Sequence, residues 1–253
     1  VERLNAAACN MTLGVTVLME LDEVRRGSGF YVLPECKDLD MELVRRHAVL
    51  QCPHARSDAH TGLLGPQLLK MGKVSAFFSS TMRRTAGESI QSGSKLEEPE
   101  DTIGMHQYGP ADPAHNSDSF FQAAHKVWMR RHPASLVMQF HGFKEDPSEP
   151  NRQFDLILSS GQKVKSQGHF FLESERRLRL CLPEWKIGIF GRDTNIFGAL
   201  TNVQGIYVNS YTSGVFWHLE MNRSFRDKLM RTKSQRAYFL NCINTLIETY
   251  EKL

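Results

Sequence analysis

Short apolar runs of strand character alternate along this chain with segments whose apolar residues follow helical spacing. The runs 12–20 and 29–33 flank a polar turn, which predicts an N-terminal hairpin at the edge of a sheet. Further strands are predicted at 47–50, 73–79, 135–143, 154–158, 186–190 and 216–226. Strands and helices that alternate in this way predict an α/β fold with a central mixed β-sheet flanked by helices.

The helical segments lie at 39–46, 61–71, 119–131, 170–181 and 236–253. In the second of them, Gly62, Gly65 and Pro66 limit the predicted regular helix to its second half. Ser117 or Asp118 is predicted to cap the helix that starts at 119, because both side chains accept hydrogen bonds from a first helical turn. The last segment carries an apolar stripe that predicts core packing.

Length and composition favour one folded domain. The chain of 253 residues fits a single α/β catalytic domain over residues 1–253. Hydrophobic residues at 41% and charged residues at 23% are close to globular averages and exclude global disorder. Residues 87–113 contain few large apolar side chains and many Gly, Ser, Glu, Asp and Pro, which predicts a mobile loop beside the functional site.

The charge pattern argues against a nucleic-acid partner. The formal net charge is +3, and the Lys and Arg residues are scattered rather than gathered into one basic segment. No apolar run approaches the ~18 residues that a membrane-spanning helix needs. The sequence begins at Val1 without Met, so an N-terminal export signal could have been removed or left out. We expect the protein to be secreted or periplasmic.

The five cysteines include no Cys-x-x-Cys pair, which argues against a zinc ribbon or a redox motif. In an oxidising compartment, Cys36 could form a disulfide with Cys52, and Cys181 could form one with Cys242. Buried free thiols are the alternative, because partners cannot be assigned from sequence. The fifth cysteine is Cys9.

The residues that carry chemistry begin directly after the apolar run 47–50. His54, Asp58 and His60 place two imidazoles and a carboxylate within one short polar stretch. Zinc takes neutral His nitrogens and a carboxylate oxygen, and a catalytic zinc site keeps one position open for water. This stretch therefore predicts a zinc site.

Two later strands supply further candidates for the same site. The run 135–143 carries His141 near its end, and the run 216–226 carries Glu220 among apolar neighbours. Ligands of open α/β sheets bind outside the carboxyl ends of the strands, so we expect His54, His141 and Glu220 to converge in one crevice.

These motifs resemble, in their order and spread, the zinc carboxypeptidase and N-acyl amino acid deacylase superfamily. The resemblance implies a metallocarboxypeptidase-like fold, a zinc ion on His54 and His141, and hydrolysis of a peptide or acyl-amide bond. The family's first motif is His-x-x-Glu, whereas Ser57 stands three residues after His54 in this chain. Asp58 is then the expected second ligand, and His60 competes for the same role.

The resemblance also assigns catalytic roles. Glu220 is implied as the general acid and base that moves a proton from water to the leaving amine. Burial on an apolar strand should raise the pKa of Glu220, which suits this double role. Arg83 or Arg84 matches the family's oxyanion-stabilising arginine, and two surface arginines at a strand end are the alternative.

Substrate contacts are predicted at three positions. His115 and Asn116 lie just before the helix at 119–131, where a substrate anion could bind, and Asn116 matches a substrate-contacting Asn of the family. Arg192 could bind a substrate carboxylate or pair with Asp193. The expected substrate is a peptide or an N-acyl amino acid.

Two other functions remain open. The chain could be a metal-free binding module on the same fold, which the Ser57 departure would signal. It could also be a thiol hydrolase that uses Cys52 with His54 or His60, in which case activity would survive chelators.

Overall fold

The computed structural model describes residues 15–19, 29–34, 48–71, 73–85, 111–146, 148–163 and 168–253. The helix predicted at 39–46 lies outside these residues. So do Cys9, Cys36 and most of the loop predicted at 87–113, and these predictions remain untested.

The described strands form one mixed eight-stranded sheet in the order β1-β2-β4-β3-β5-β8-β6-β7. Their bounds are β1 Val15–Met19, β2 Phe30–Pro34, β3 Ala48–Cys52, β4 Ala76–Ser79, β5 Leu136–Phe143, β6 Leu156–Ser159, β7 Ile187–Ile189 and β8 Val215–Asn222. β1 and β2 form the predicted antiparallel hairpin at one edge. β4, β3, β5 and β8 are parallel neighbours. The three strands expected to bring His54, His141 and Glu220 together, β3, β5 and β8, therefore lie side by side.

Helices cover both faces of this sheet, which confirms the predicted fold class. They are α1 Thr61–Lys70, α2 Phe120–Arg131, α3 His169–Cys181, α4 Val203–Tyr211, α5 Arg223–Arg231 and α6 Lys233–Lys252. α1, α3, α5 and α6 pack on one face, while α2 and α4 pack on the other, which we call the α2/α4 face. Among the described residues, none of the helices combines the length and apolarity that crossing a membrane requires.

Helix α1 is longer than its sequence predicted. It is helical from Thr61 to Lys70 although Gly65 and Pro66 lie inside it. A Cβ atom at position 65 would lie 2.0 Å from the ring of Phe77 on β4, so glycine is what lets the helix approach the sheet. Burial of Leu64 and Leu68 against the sheet outweighs the unfavourable helix propensities.

Two helix starts differ from the predictions. Ser119, rather than Ser117 or Asp118, caps α2 by accepting a hydrogen bond from the Gln122 amide. The predicted strand 216–226 ends at Asn222, whose side chain accepts the Phe225 amide at 2.7 Å and begins α5. An apolar run therefore contained a strand and the first turn of a helix.

A buried polar band crosses the α2/α4 face of the sheet. Side chains alternate between the two faces along each strand, and the first halves of β3, β5 and β8 place Val49, Val137 and Phe216 on this face. The second halves place buried polar residues there, namely Gln51, Gln139, His141, His218 and Glu220. The carboxyl ends of these strands therefore hold the chemistry.

Candidate metal centre

Three predicted ligands meet at the end of β3. The amides of Ser57 and Asp58 both donate to the His54 carbonyl, at 2.8 and 2.7 Å, and this tight turn brings the two side chains together. His54 Nδ1 lies 3.5 Å from Asp58 Oδ2. His141 Nδ1, from β5, lies 3.6 Å from the same oxygen and 3.1 Å from His54 Nδ1.

The far nitrogen of each imidazole faces an acceptor. His54 Nε2 donates to Asp112 Oδ1 at 2.8 Å, and His141 Nε2 donates to Gln139 Oε1 at 3.0 Å. Both Nδ1 atoms therefore face each other and the Asp58 carboxylate. These three atoms repel one another unless a proton or a metal cation lies between them.

The distances suit a tetrahedral zinc ion. Ligand atoms that each lie about 2.0–2.1 Å from zinc are about 3.3 Å apart, and the three observed separations bracket that value. Two imidazoles and one carboxylate also form a typical catalytic zinc ligand set. His54, Asp58 and His141 can therefore hold this metal.

The electrostatics of the pocket also favour a positive charge. Burial alone would lower the pKa of His54, but the Asp112 and Asp58 carboxylates outweigh it and raise the pKa to about 9. Burial lowers the pKa of His141 to about 4, although Asp58 opposes this shift. Burial would raise the pKa of Asp58, but the two histidines hold it below its usual range. One imidazole thus prefers to be cationic and the other to remain a neutral ligand.

His60 lies apart from this group. It occupies a left-handed backbone conformation with φ 78° at the start of α1, and its Nε2 contacts Asp227 Oδ1 on α5 at 3.0 Å. Asp58, rather than His60, is the residue that the structure places beside His54 and His141.

Glu220 lies next to the three ligands. It pairs with His141 in the register of β5 and β8, and its side chain is buried. Its Oε2 atom has no hydrogen-bond partner among the described residues. Burial raises the pKa of Glu220 to about 8, and the charge of Asp58 adds to the shift, while His54, Arg84 and Arg226 oppose it. This is the environment expected of a carboxyl that exchanges protons near neutral pH.

His218 is a site residue that the sequence reasoning missed. Its ring packs 4.6 Å from the ring of His141, and its Nδ1 lies 3.0 Å from Ser159 Oγ on β6. Its Nε2 lies 3.7 Å from Glu220 Oε1. The signal was present, since His218 and Glu220 are two residues apart on one strand and must share a face.

Gln139 was missed as well, although it contacts a ligand directly. Its Oε1 accepts from His141 Nε2 and, at 2.8 Å, from Asn202 Nδ2. Its Nε2 donates to Gln51 Oε1 and Gln204 Oε1. Gln204 and Asn202 are themselves fixed by backbone groups, so the orientation of the Gln139 amide is determined.

The amide network continues below the site. Gln204 Nε2 also donates to Gln122 Oε1, and Gln51 Nε2 contacts His125 Nδ1 at 3.0 Å. Burial lowers the pKa of His125 to about 3. His125 is therefore a neutral, buried member of this network.

Asp112 joins His54 to the segment that carries His115 and Asn116. Its Oδ1 accepts from His54 and from the Ala114 amide, and its Oδ2 lies 3.1 Å from His115 Nδ1. The rings of His115 and His54 stack with centroids 6.4 Å apart. Asn116 Oδ1 accepts the Asp118 amide, which shapes the turn before α2.

The candidate arginines occupy different surroundings. Arg83 and Arg84 are exposed on the segment after β4, where the Arg84 amide donates to Ser57 Oγ at 3.2 Å. The charge of Arg84 contributes to the pKa of Glu220, which places it near the site. Arg192 binds Glu175 through two hydrogen bonds and also pairs with Asp193, the alternative noted above.

The cysteines do not support thiol chemistry. Cys52, Cys181 and Cys242 are all free thiols. Cys52 packs in the core on the opposite face of the sheet from Glu220, and its sulfur donates to the Thr61 carbonyl. Burial raises the pKa of the Cys52 thiol far above its usual range, so a reactive thiolate is disfavoured.

No protein-family model matches this sequence, and neither does any curated protein. An N-formylglutamate amidohydrolase from Ralstonia eutropha has a similar structure, with a TM-score of 0.51 and 12% identity over 88% of this chain and 96% of that chain. A metallo-carboxypeptidase from Burkholderia cenocepacia gives 0.49 and 10% over 93% of this chain and 65% of that longer chain. A bacteriophage poly-gamma-glutamate hydrolase gives 0.46 and 12% over 81% and 83%. At such identities a likeness shows the fold alone, and the similarity to the amidohydrolase agrees with the predicted α/β fold with a central mixed sheet.

Proposed function

We propose that this protein is a zinc-dependent hydrolase of peptide or acyl-amide bonds, with the metal held by His54, Asp58 and His141. The observation that carries the proposal is the convergence of two imidazole nitrogens and one carboxylate oxygen, at the spacing of metal ligands, beside a buried glutamate. A metal-free binding module would have no need for three buried ligand atoms at this spacing.

The residues around the metal supply the proton chemistry. Zinc, when bound, supplies a Lewis acid that activates water and polarises a carbonyl group. Glu220 Oε2 has no other hydrogen-bond partner among the described residues, so it can accept a proton from the attacking water. The protonated carboxyl can then return that proton to the leaving amine.

Two exposed groups are assigned to the substrate. Arg84, rather than Arg83, is assigned the stabilisation of the developing oxyanion, because its charge acts on Glu220. His115 is assigned a substrate contact because it lies beside His54 and is partly exposed. Arg192 already binds two carboxylates, so a substrate carboxylate would have to displace them. A secreted or periplasmic location remains a prediction from the sequence.

The metal content of the purified protein tests this proposal. We expect about one zinc per chain in the wild type and none in His141→Ala. His60→Ala is the matched control, because His60 lies in the same stretch but contacts Asp227 instead. Hydrolysis of a panel of peptides and N-acyl amino acids should disappear with chelator and return with zinc.

The opposite results are equally clear. If the wild type binds no metal even when zinc is offered, the hydrolase proposal is wrong and a binding module becomes the better explanation. If zinc binds but no amide in the panel is cleaved, the metal site stands and the reaction class is wrong.

A further inference from the structure

Arg226 is a buried cation whose hydrogen bonds to the described residues all go to backbone carbonyls. It lies on α5, and its side chain is only 3% exposed. Nε donates to the Met221 carbonyl at 3.0 Å and to the Asn222 carbonyl at 3.3 Å. Nη2 donates to the Phe143 carbonyl at 3.0 Å, and Nη1 donates to the Ala59 carbonyl. Within the described ranges, no carboxylate forms an ion pair with it.

Those four carbonyls belong to the three segments that build the site. Ala59 directly follows Asp58, and Met221 directly follows Glu220. Phe143 lies two residues after His141 on β5. A guanidinium group is planar and rigid, so its donors fix the relative positions of the acceptors they bind. One side chain thereby connects the Asp58 turn to the ends of β5 and β8.

Stability alone does not explain an arginine at this place. A buried charge without a direct counter-ion is costly, and burial accordingly lowers the pKa of Arg226. The acidic groups whose charges act most on it are Asp58 and Glu220, both of them in the site. The charge of Arg226 therefore acts mainly on carboxylates of the site, and Asp227 contributes less.

Gly142 completes the arrangement. A Cβ atom at this position would lie 2.3 Å from Arg226 Cζ, so only glycine leaves room for the guanidinium. The Gly142 amide donates to Asp58 Oδ2 at 2.9 Å, directly on the oxygen that faces both histidines. Gly142 thus orients the Asp58 carboxylate through its amide, and it leaves room for the Arg226 guanidinium that holds the Asp58 turn in place.

We propose that Arg226 is a positioning residue that holds the Asp58 turn, the end of β5 and the end of β8 together, so that the three metal ligands and Glu220 converge. The predicted effect of Arg226 on zinc affinity depends on the proposed metal site but not on the reaction that the protein catalyses. The predicted effect on turnover rests on the proposed hydrolase function.

The test compares Arg226→Met and Arg226→Lys with Arg236→Met. Arg236 is a matched control because its guanidinium also donates to backbone carbonyls, those of Leu229 and Met230, but it binds only the end of α5. Zinc affinity is measured by competition with a chromogenic chelator, at a temperature well below the melting point of every variant.

We expect Arg226→Met to weaken zinc binding about tenfold or more, the range seen when groups that orient ligands are removed. Arg226→Lys should give a smaller loss, because an ammonium can bind part of the same carbonyl set. Arg236→Met should lower the melting temperature without changing zinc affinity. For hydrolysis, Arg226→Met should reduce kcat more than it raises KM, since Glu220 is displaced.

Gly142→Ala approaches the same contact from the other side. The added methyl group should displace the guanidinium and weaken zinc binding by a factor similar to that of Arg226→Met. In the double variant Gly142→Ala/Arg226→Met the two losses should not multiply, because both act on one contact.

Equal zinc affinity in wild type and Arg226→Met would overturn the inference. It would also be overturned if Arg226→Met and Arg236→Met both lost zinc affinity in proportion to their loss of melting temperature. Failure of the hydrolase proposal is read separately. In that case the wild type itself would bind no zinc or cleave no amide.

Discussion

Gln139 determines which nitrogen of His141 carries a hydrogen. Its carbonyl oxygen accepts from Nε2, so Nδ1 must present its lone pair to the metal pocket. Outer groups that fix a ligand tautomer typically contribute about 10–100-fold to metal affinity.

Gln139→Leu should therefore weaken zinc binding by about 10–100-fold. It should also destabilise the fold by about 1–3 kcal/mol, because the buried amides of Gln51 and Gln204 each lose a partner. Gln122→Leu is the control, since it belongs to the same network without contacting His141. Chelator competition and thermal unfolding measure the two effects, and equal zinc affinities in the two variants would contradict the assigned role.

Glu220 makes the stability of the metal-free protein depend on pH. Its pKa is raised from 4.5 to about 8 in the folded state, so folding favours the protonated form. The associated stability is fully present below about pH 4.5 and is lost as the pH rises through about 8, at up to about 1.4 kcal/mol per pH unit.

Glu220→Gln should remove this dependence. In metal-free protein, the variant should be close to the wild type at pH 5 and clearly more stable at pH 8, while its hydrolytic activity is lost. Urea unfolding at both pH values measures the difference. If the stability difference between variant and wild type did not change with pH, folding would not raise the pKa of the Glu220 carboxyl.

At the scale of elements, α1 shows how packing overrides local preference. Gly65 lies against Phe77, and alanine at this position would improve helix propensity by about 1 kcal/mol but create a steric overlap. We expect Gly65→Ala to destabilise the protein by about 1–3 kcal/mol.

Gly168→Ala is the matched control for that substitution, because a Cβ atom there meets nothing within 4 Å. Because Gly168 is the N-cap of α3 and alanine is a poorer cap, thermal unfolding should show a loss of at most about 1 kcal/mol for it. If Gly65→Ala proved as stable as this control, helix α1 would have to be able to move away from β4 at little cost.

The elements that bear the site were the most predictable ones. β3 and β5 are largely apolar, and each has a histidine near its carboxyl end: His54 lies two residues after β3, and His141 lies two residues before the end of β5. This pattern sufficed to place both histidines at one edge of a parallel sheet. The end of β8 was less predictable. Asn222 can terminate a strand and cap a helix with the same side chain, so no change in hydrophobicity marks the boundary.

At the scale of the whole molecule, the site residue hardest to predict from the sequence was one that contacts a residue far away along the chain. Asp112 and His54 are 58 residues apart, and nothing local in either segment indicates that they meet. Gln139 and His218 did carry a local signal, the i, i+2 spacing to His141 and Glu220. Along each strand, a single polar residue looks like an exception in an apolar run. In the folded sheet, these polar residues form one buried band across neighbouring strands.

Zinc should stabilise the folded protein as a whole. The unfolded chain retains only the local pair His54 and Asp58, so it binds the metal far more weakly than the folded chain does. Free zinc at 100 times its dissociation constant should add about 2.7 kcal/mol to the free energy of unfolding. Thermal scans should show this gain in the wild type and lose it in His141→Ala, and an equal shift in both would point to binding elsewhere.

The strand order also decides when the metal can act during folding. His54 and His141 are 87 residues apart in sequence, so their approach requires a long loop to close and the centre of the sheet to assemble first. Contacts that form after the rate-limiting step slow unfolding and leave the folding rate nearly unchanged. Zinc should therefore lengthen the lifetime of the native state without guiding the chain toward it, and stopped-flow measurements with and without zinc would show the effect on the unfolding limb alone.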